Sequence, residues 1–484
     1  MSKKEIHQNS RRKFILNSTL VLAGLTFNQF PFVANDEPYT YLSISELSVL
    51  IRNKKVSPVE ITLGCLQRIE QLDITLNAFI TVTREKALKD AKKAELEIKK
   101  GKWKGPLHGI PISLKDNIDT SGTRTTAASG VYKERIPTED AELVKKLKRA
   151  GAIIVGKTNL HEFALGTTSQ VSYFGAVRNP WNKEYIAGGS SGGSAVAVAA
   201  GMCYAAIGTD TGGSNRLPAS CTGIVGLKPT YSLISTRGII PVIHSIDHAG
   251  IFTRNVQDAA LVLSELTTSF SFKNSDISFF DTYSKRKFSI GIAQNFKASE
   301  EIRRVFKNCI DLFQRSGFEI QNIDLPEMPS DFNLGDAEIE LYHRPLMNQF
   351  ANQYQAATIK TLDSSKKINH AEYAAQKLRM QKARANISKL LFKNVDAVIL
   401  PTVVEITPTL VEAEKGGPFA LDDSNTFIFN YYGLPAVSIP AGFDFNGNPI
   451  GLQIVGPALA EAKVLEIAYR FEQISEWHSK HPVI

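Results

Sequence analysis

Cysteine is scarce in this chain, which has only four among 484 residues, at Cys65, Cys203, Cys221 and Cys309. Their scattered spacing matches no zinc-ligand pattern. An even number of cysteines permits disulfides in an exported protein. Cys203 and Cys221 lie in apolar stretches, however, and this favours free buried thiols. The sequence therefore predicts no metal site, and it implies no cofactor.

Long runs of one charge are also absent beyond the N-terminus. The formal net charge is +8, and residues 3–13, with five basic side chains and one acidic one, contribute +4 of it. Further along, basic and acidic residues alternate, as in KKAELEIKK at positions 92–100. That alternation is typical of a solvated helix face rather than a nucleic-acid groove. We therefore predict no nucleic-acid partner, and the chain shows no internal repeat or low-complexity tract.

The N-terminus has the pattern of an export signal. Arg11 and Arg12 precede a modest apolar run from Phe14 to Phe27, and no lysine or arginine follows until Arg52. A charged segment before a short apolar one is typical of a twin-arginine signal and is too short to be interpreted first as a membrane span. A frayed basic helix is the alternative. We predict an export signal over residues 1–34 and a periplasmic location, with signal cleavage or retention as an anchor left open.

Two glycine turns that carry serines mark the stretch from 188 to 230. The first is GGSSGGS at 188–194, the second is TGGS at 211–214, and an apolar run of small residues separates them. Glycine lets the backbone adopt positive φ and approach a substrate closely. Consecutive N–H groups in such turns can hold an oxyanion. A Gly/Ser linker is the alternative, but linkers do not alternate with Ala/Val-rich segments, so the pattern favours a catalytic loop.

This stretch resembles the signature of the amidase signature family, whose members use a Ser–cis-Ser–Lys triad. By resemblance, Ser190 is the bridging serine and Ser214 is the nucleophile, at the interval of 24 residues that the family keeps. Lys115, in the segment SLKDN after an apolar strand, corresponds to the base. The resemblance continues through GIVGLKPT, GLPAV and GLQIVGP, and it covers most of the chain from about residue 45. Asn215 departs from the family, which more often has an apolar residue there.

The resemblance also implies how the site works. The oxyanion hole would consist of the backbone N–H groups of residues 211–214, namely Thr211, Gly212, Gly213 and Ser214. Ser190 would relay protons between the nucleophile and Lys115, and burial must lower the pKa of this lysine from about 10.4 for it to be a base. We predict a cis peptide bond before Ser190, although non-proline cis bonds are rare. Arg216 is predicted to be an ion-pair partner and Asp210 a turn-forming residue.

Helices that alternate with short apolar strands predict a layered α/β fold. The resemblance narrows this to a single large domain, residues 35–484, with a mixed central β-sheet covered by helices on both faces. Residues 270–395 have a different character, and by resemblance they would lie over the site and shape the acyl pocket. The sequence predicts four helices: the first starts with a capping box at Ser57, and the others are Glu85–Lys100, Thr138–Ala150 and one within 250–266. The predicted strands are Ile110–Leu114, Ala152–Val155 and Phe288–Ile292. Asn446-Gly447 predicts a hairpin.

Residues 151–158, GAIIVGKT, match the phosphate-loop pattern letter for letter. In such loops a strand precedes the first glycine, and the next residues form the cradle. Here a helix is predicted before Gly151, and the cradle positions form a strand of their own. Nucleotide binding is therefore a remote alternative. The segment HEFAL at 161–165 likewise resembles the start of a zinc-protease helix but has leucine where the second histidine would be.

Together these features predict an amide hydrolase that acts on linear carboxylic amides, with a small-molecule amide as substrate. The alternative is the glutamine-hydrolysing amidase subunit of a tRNA-dependent amidotransferase, which works with partner subunits in the cytoplasm. The export signal argues against that alternative. A catalytically inactive binding protein is disfavoured by the complete triad. The identity of the amide and the formation of a homodimer are left open.

Overall fold

A computed structural model of the protein describes residues 39–267, 287–330, 332–364 and 369–484. The predicted export signal at residues 1–34 lies outside the described residues. So do residues 268–286, which belong to the segment predicted to shape the acyl pocket.

One mixed sheet of eleven strands organises the described residues. The strands are β1 Phe79–Val82, β2 Pro111–Lys115, β3 Ile153–Thr158, β4 Ala205–Asp210, β5 Val225–Lys228, β6 His248–Thr253, β7 Ser289–Ala293, β8 Glu319–Ile323, β9 Ala397–Pro401, β10 Ala436–Phe443 and β11 Pro449–Val455. Their spatial order is β1-β3-β2-β4-β6-β5-β10-β11-β9-β7-β8. Strands β3, β2 and β4 run parallel, as do β9, β7 and β8, and the other pairings are antiparallel.

Fourteen α-helices accompany the sheet in the described ranges. They are α1 Ile44–Arg52, α2 Pro58–Leu76, α3 Arg84–Lys99, α4 Glu142–Ala150, α5 Gly192–Ala199, α6 Arg216–Thr222, α7 Val256–Leu266, α8 Glu300–Arg315, α9 Leu334–Phe350, α10 Ala356–Asp363, α11 His370–Leu391, α12 Leu410–Gly416, α13 Ser424–Tyr431 and α14 Glu461–Ser475. Helix α2 starts as predicted, because Ser57 and Glu60 form a capping box and Pro58 occupies the first turn.

The central strands are buried on both faces, because successive side chains of a strand point to opposite sides of the sheet. In β4, Ala205 and Ile207 belong to one apolar cluster, whereas Ala206 belongs to another. The first cluster contains residues of α1, α4, α7, α8 and α14, and the second contains residues of α2, α3 and α5. The predicted mixed sheet with helices on both faces is therefore confirmed.

Several predicted boundaries shift. The helix predicted over Thr138–Ala150 begins only at Glu142, because residues 137–141 bond instead to a neighbouring turn. The Ala141 N–H donates to the Asp119 carbonyl oxygen at 2.9 Å. The Asp140 carboxylate accepts from the Ser121 N–H at 2.8 Å. The predicted hairpin at Asn446-Gly447 joins β10 and β11, as expected.

The phosphate-loop match is a helix end followed by a strand. Gly151 is the C-cap of α4 at φ 84°, and residues 153–158 form the buried strand β3. No cradle is left for a phosphate. The segment 162–164 is a short 3₁₀ turn rather than a zinc-protease helix. In the part of the chain that the structure describes, no group of three or more metal-ligating side chains is assembled.

Cys203 and Cys221 are free buried thiols, as predicted from their apolar surroundings, and Cys65 and Cys309 are buried as well. A search of the described helices found none that combines the length and the apolar character required to cross a membrane.

We expect Gly156→Ala to weaken the pairing of β1 with β3. An ideal Cβ at Gly156 would lie 2.6 Å from the Thr81 carbonyl oxygen and 2.8 Å from Phe79 Cδ1. Overpacking of this kind costs about 1–3 kcal/mol of unfolding free energy, which denaturant unfolding followed by circular dichroism would measure. Val82→Thr is the matched control, because its side chain is 41% exposed on the same strand pair. Equal unfolding curves for both variants would contradict the packing role of Gly156.

Candidate active site

Lys115 is the last residue of β2, and its side chain is fully buried. Its Nζ lies 2.7 Å from Ser190 Oγ and 2.7 Å from Thr209 Oγ1. Strand β2 lies between β3 and β4 in parallel pairings, so its C-terminal end and that of β4 meet at one edge of the sheet. Lysine and threonine are therefore brought together by strand register, although 94 residues separate them in the chain.

Burial lowers the pKa of the Lys115 ammonium to about 7, while the negative charges of Asp210 and Asp247 oppose the shift. Lysine can accept a proton only as the neutral amine, and a pKa near 7 provides that form at neutral pH. His161 lies in the same buried region, and burial with the charge of Lys115 lowers the pKa of its imidazole to about 3. Lys115 is therefore the group of this pair whose titration falls near neutral pH.

Ser190 precedes helix α5, and the peptide bond between Gly189 and Ser190 is cis, as predicted. The Ser190 carbonyl oxygen accepts hydrogen bonds from the His161 N–H and from Ser169 Oγ, both at 3.0 Å. These contacts hold the backbone while the hydroxyl faces Lys115. The predicted contact between base and bridging serine is thus present.

Ser214 differs from the other serines of the two glycine turns. Ser191 Oγ donates to the Thr209 carbonyl oxygen at 3.0 Å, and Ser194 Oγ lies 2.6 Å from Thr158 Oγ1. Both are fully buried, whereas Ser214 keeps 7% of its surface exposed. Among the described residues, no group forms a hydrogen bond with Ser214 Oγ. The expected Ser190–Ser214 hydrogen bond is therefore not formed in this structure, although the Ser191 N–H binds the Ser214 carbonyl oxygen at 3.2 Å.

A buried ion pair closes the loop that carries Ser214. Arg216 Nε lies 3.0 Å from Asp210 Oδ2, and Arg216 Nη2 lies 2.9 Å from Asp210 Oδ1. The guanidinium also donates to Asn430, Gln453 and the Thr426 carbonyl oxygen. Burial opposes the ionised form of Asp210, but the charge and hydrogen bonds of Arg216 hold its pKa well below the usual range. Arg216 is the structural ion-pair partner that the sequence predicted.

Residues 211–214 present the backbone donors of the predicted oxyanion hole. Within the described ranges, the N–H groups of Thr211, Gly212, Gly213 and Ser214 donate to no protein acceptor. Gly213 has φ 139°, and a Cβ there would lie 2.3 Å from Thr426 Oγ1, so only glycine fits. The loop therefore has the free donors that an oxyanion requires. The site assignment itself stays a prediction, because geometry alone does not show catalysis.

Sequence reasoning missed Thr209 and Asp423. Thr209 directly precedes Asp210 at the end of β4, and Lys115 ends the parallel strand β2. Two parallel strands that end at the same edge of the sheet could have indicated that Thr209 lies near Lys115. Asp423 lies about 210 residues from the second turn, and only the packing of α13 against the loop brings it there. Asn215, the departure from the family pattern, bridges the first glycine turn and β5: its Oδ1 accepts from Ser191 Oγ and its Nδ2 donates to the Leu227 carbonyl oxygen, both at 3.4 Å.

The described part of residues 270–395 packs against loops near the site. The Phe163 ring is stacked 5.2 Å from Tyr354 and lies edge-on 4.7 Å from His343. Glu162, next to Phe163, accepts a hydrogen bond from the Gln355 N–H at 2.9 Å, just before α10. That this region shapes an acyl pocket remains a prediction.

Comparison with known proteins gives consistent results. A family model described as Amidase matches residues 60–465. A glutamyl-tRNA(Gln) amidotransferase subunit of Carboxydothermus hydrogenoformans is 34% identical over 91% of this chain and 99% of its own length. The corresponding subunit of a Synechococcus species is 37% identical over 89% and 91%. The crystal structure of a peptide amidase with the competitive inhibitor chymostatin is similar with TM-score 0.81 and 29% identity, over 93% of this chain and 100% of that one.

We expect kcat/KM for amide hydrolysis to rise with pH through about 7 and then level, because Lys115 must lose its proton to act as base. In Thr209→Val the ammonium loses an acceptor at 2.7 Å. A hydrogen bond to a charged group is worth about 1.5–3 kcal/mol, so its loss should lower the pKa of Lys115. The rising part of the pH profile of kcat/KM should therefore move to lower pH by about one unit.

Thr209→Ser keeps the hydroxyl, so the pH at which kcat/KM rises and the level that it reaches should both return to the wild-type values. A Thr209→Val profile that is lower but not displaced would mean that Thr209 acts through packing alone. The pH profile therefore separates an electrostatic role from a structural one.

Proposed function

This chain belongs to the amidase family, and we propose that it hydrolyses a carboxylic amide through an acyl-enzyme on Ser214. The contact between buried Lys115 and Ser190 at 2.7 Å is the observation that supports this most strongly. A lysine with a pKa near 7 beside a serine hydroxyl is suited to act as a general base, and a glycine turn with free N–H groups adjoins it. A purely structural role would not require the buried lysine, the serine hydroxyl beside it and the glycine turn with free N–H groups together.

The proposed reaction has two halves. Ser214 Oγ attacks the amide carbonyl, its proton passes through Ser190 to Lys115 Nζ, and the N–H groups of residues 211–214 bind the oxyanion. The ammonium then returns a proton through Ser190 to the leaving amine as the C–N bond breaks. Water repeats the sequence on the acyl-enzyme and releases a carboxylic acid. The relay requires Ser214 Oγ to approach Ser190 in the substrate complex, since that hydrogen bond is absent in the free chain.

Asp423 indicates what the acyl group carries. Its Oδ2 would lie 2.7 Å from a Cβ on Gly212, so the carboxylate adjoins the oxyanion loop. Burial, and then the charge of Asp422, raise its pKa to about 6, and its side chain makes no hydrogen bond or ion pair with another described residue. Arg216, whose charge lowers this pKa, is already paired with Asp210, so the Asp423 carboxylate favours a substrate ammonium as its own partner. Amides of amino acids, glutamine included, fit this site.

Two more specific functions share this chemistry, that of an amidotransferase subunit and that of a stand-alone exported amidase. The relatives named above are amidotransferase subunits, and they support the glutamine-hydrolysing subunit of a tRNA-dependent amidotransferase better than a stand-alone amidase. The stand-alone exported amidase rests on the twin-arginine pattern at residues 11 and 12, and the peptide amidase neighbour is its structural parallel. Location and partner subunits distinguish the two.

We expect Ser214→Ala to abolish turnover of every amide that the wild-type chain hydrolyses, while the unfolding curve stays unchanged. A panel containing glutamine, amino-acid amides and N-aryl amides would measure this, using protein without residues 1–34. A fluorophosphonate should label wild-type Ser214, because it is 7% exposed, whereas the other serines of the two turns are fully buried. Labelling at Ser191 or Ser194, with Ser214→Ala fully active, would contradict the assignment.

We expect the pair Arg11→Lys and Arg12→Lys to abolish export in a host that has twin-arginine transport, because the pathway requires both arginines. Fractionation of periplasm and cytoplasm would measure it. A wild-type chain found only in the cytoplasm and purified with partner subunits would instead support the amidotransferase function. Lys3 and Lys4, changed to arginine, provide the matched control, since they lie outside the twin-arginine pair.

A further inference from the structure

The ring of Phe427 adjoins the predicted oxyanion loop at Gly212. An ideal Cβ on Gly212 would lie 3.0 Å from Phe427 Cδ2, so the ring packs on a backbone that has no side chain of its own. Gly212 and Phe427 are both partly exposed. The ring therefore packs against an apolar cluster on one side and keeps part of its surface exposed next to Gly212.

The position of this ring relative to the loop is fixed by its neighbour in the chain. Thr426 Oγ1 donates to the Gly212 carbonyl oxygen at 2.5 Å. The Thr426 carbonyl oxygen accepts from Arg216 Nη1 at 2.9 Å. Helix α13 is thus joined at its first turn both to the loop and to the buried ion pair that closes it. These contacts hold the backbone next to Phe427 in place beside the loop.

Further aromatic rings extend this surface. Phe332 lies edge-on to Phe427 with centroids 6.0 Å apart, and Phe332 in turn lies 5.3 Å from Tyr431 at 89°. Phe332 is partly exposed, whereas Tyr431 is buried and supports it. Edge-to-face contacts of this kind hold rings in defined positions. We refer to Phe427 and Phe332 as the aromatic wall.

We propose that the aromatic wall binds the side chain of the substrate's acyl group, and that the chain prefers amides of α-amino acids with apolar or aromatic side chains. This inference rests on the proposed function. A carbonyl bound at residues 211–214 has its α-carbon beside Gly212, where two substituents diverge. The ammonium meets Asp423 Oδ2, and the side chain meets the ring of Phe427. The acyl chain of glutamine offers the ring no aromatic or branched apolar group.

The test compares phenylalanine amide with glycine amide, which differ only in the group that the wall would bind. The wild-type chain should prefer phenylalanine amide in kcat/KM. In Phe427→Ala that preference should fall by about tenfold or more, and glycine amide should be hydrolysed nearly as before. Phe427→Leu keeps an apolar side chain and should give an intermediate preference.

Phe445→Ala is the matched control, because Phe445 is 74% exposed on the β10–β11 turn and should leave both substrates unchanged. If Phe427→Ala does not fold, Phe427→Leu decides the question. Equal losses for both amides in Phe427→Leu, or wild-type hydrolysis of glutamine without any amino-acid amide, would overturn this inference and leave the proposed function standing. A wild-type chain that hydrolyses no amide would instead refute the proposed function itself.

Discussion

The buried ion pair between Asp210 and Arg216 is the interaction on which the site depends. Two charges taken out of water are costly unless each is fully hydrogen-bonded. Here Asn430, Gln453 and the Thr426 carbonyl oxygen complete the shell around the pair. The residues between its two ends form the turn that carries Ser214, the proposed nucleophile. Since the pair cannot shift without exposing a charge to an apolar interior, the turn and the helix that touches it are held together.

The low-dielectric interior that makes the ion pair costly to break also lowers the pKa of Lys115 to about 7, as the proposed role of a base requires. Asp210 is stabilised as an anion because a guanidinium lies beside it, whereas the described partners of Lys115 Nζ within hydrogen-bonding distance are hydroxyl oxygens. Burial therefore shifts the lysine pKa toward neutrality, and the more distant carboxylates of Asp210 and Asp247 limit the shift. One interior thus holds an ionised carboxylate and a lysine that titrates near pH 7, and the difference lies in the immediate partners of each group.

Local features of the chain were predictable where one short segment contains the whole cause. The helix at Ser57 follows from a serine, a proline and a glutamate in four residues, and the hairpin at Asn446-Gly447 follows from two. The spacing of Ser190 and Ser214 and the setting of Lys115 indicated the site through their resemblance to the amidase signature. Strand β6 and the late start of α4 were not predicted, because a short buried strand has no distinctive periodicity and residues 137–141 bond to the neighbouring turn at residues 119–122.

The sequence by itself determined the fold class, the candidate triad and the cis bond before Ser190. It also indicated that residues 151–158 form no phosphate-binding loop in spite of their match to the pattern. Only the tertiary structure decided which serine stays accessible, that Thr209 contacts Lys115, and that Asp423 and Phe427 flank Gly212. Glycine turns and capping residues act through bonds within a few positions, so the sequence displays them directly. Contacts between residues about 90 to 215 positions apart depend on strand register and helix packing, and these arise from the burial of apolar surface by the whole chain.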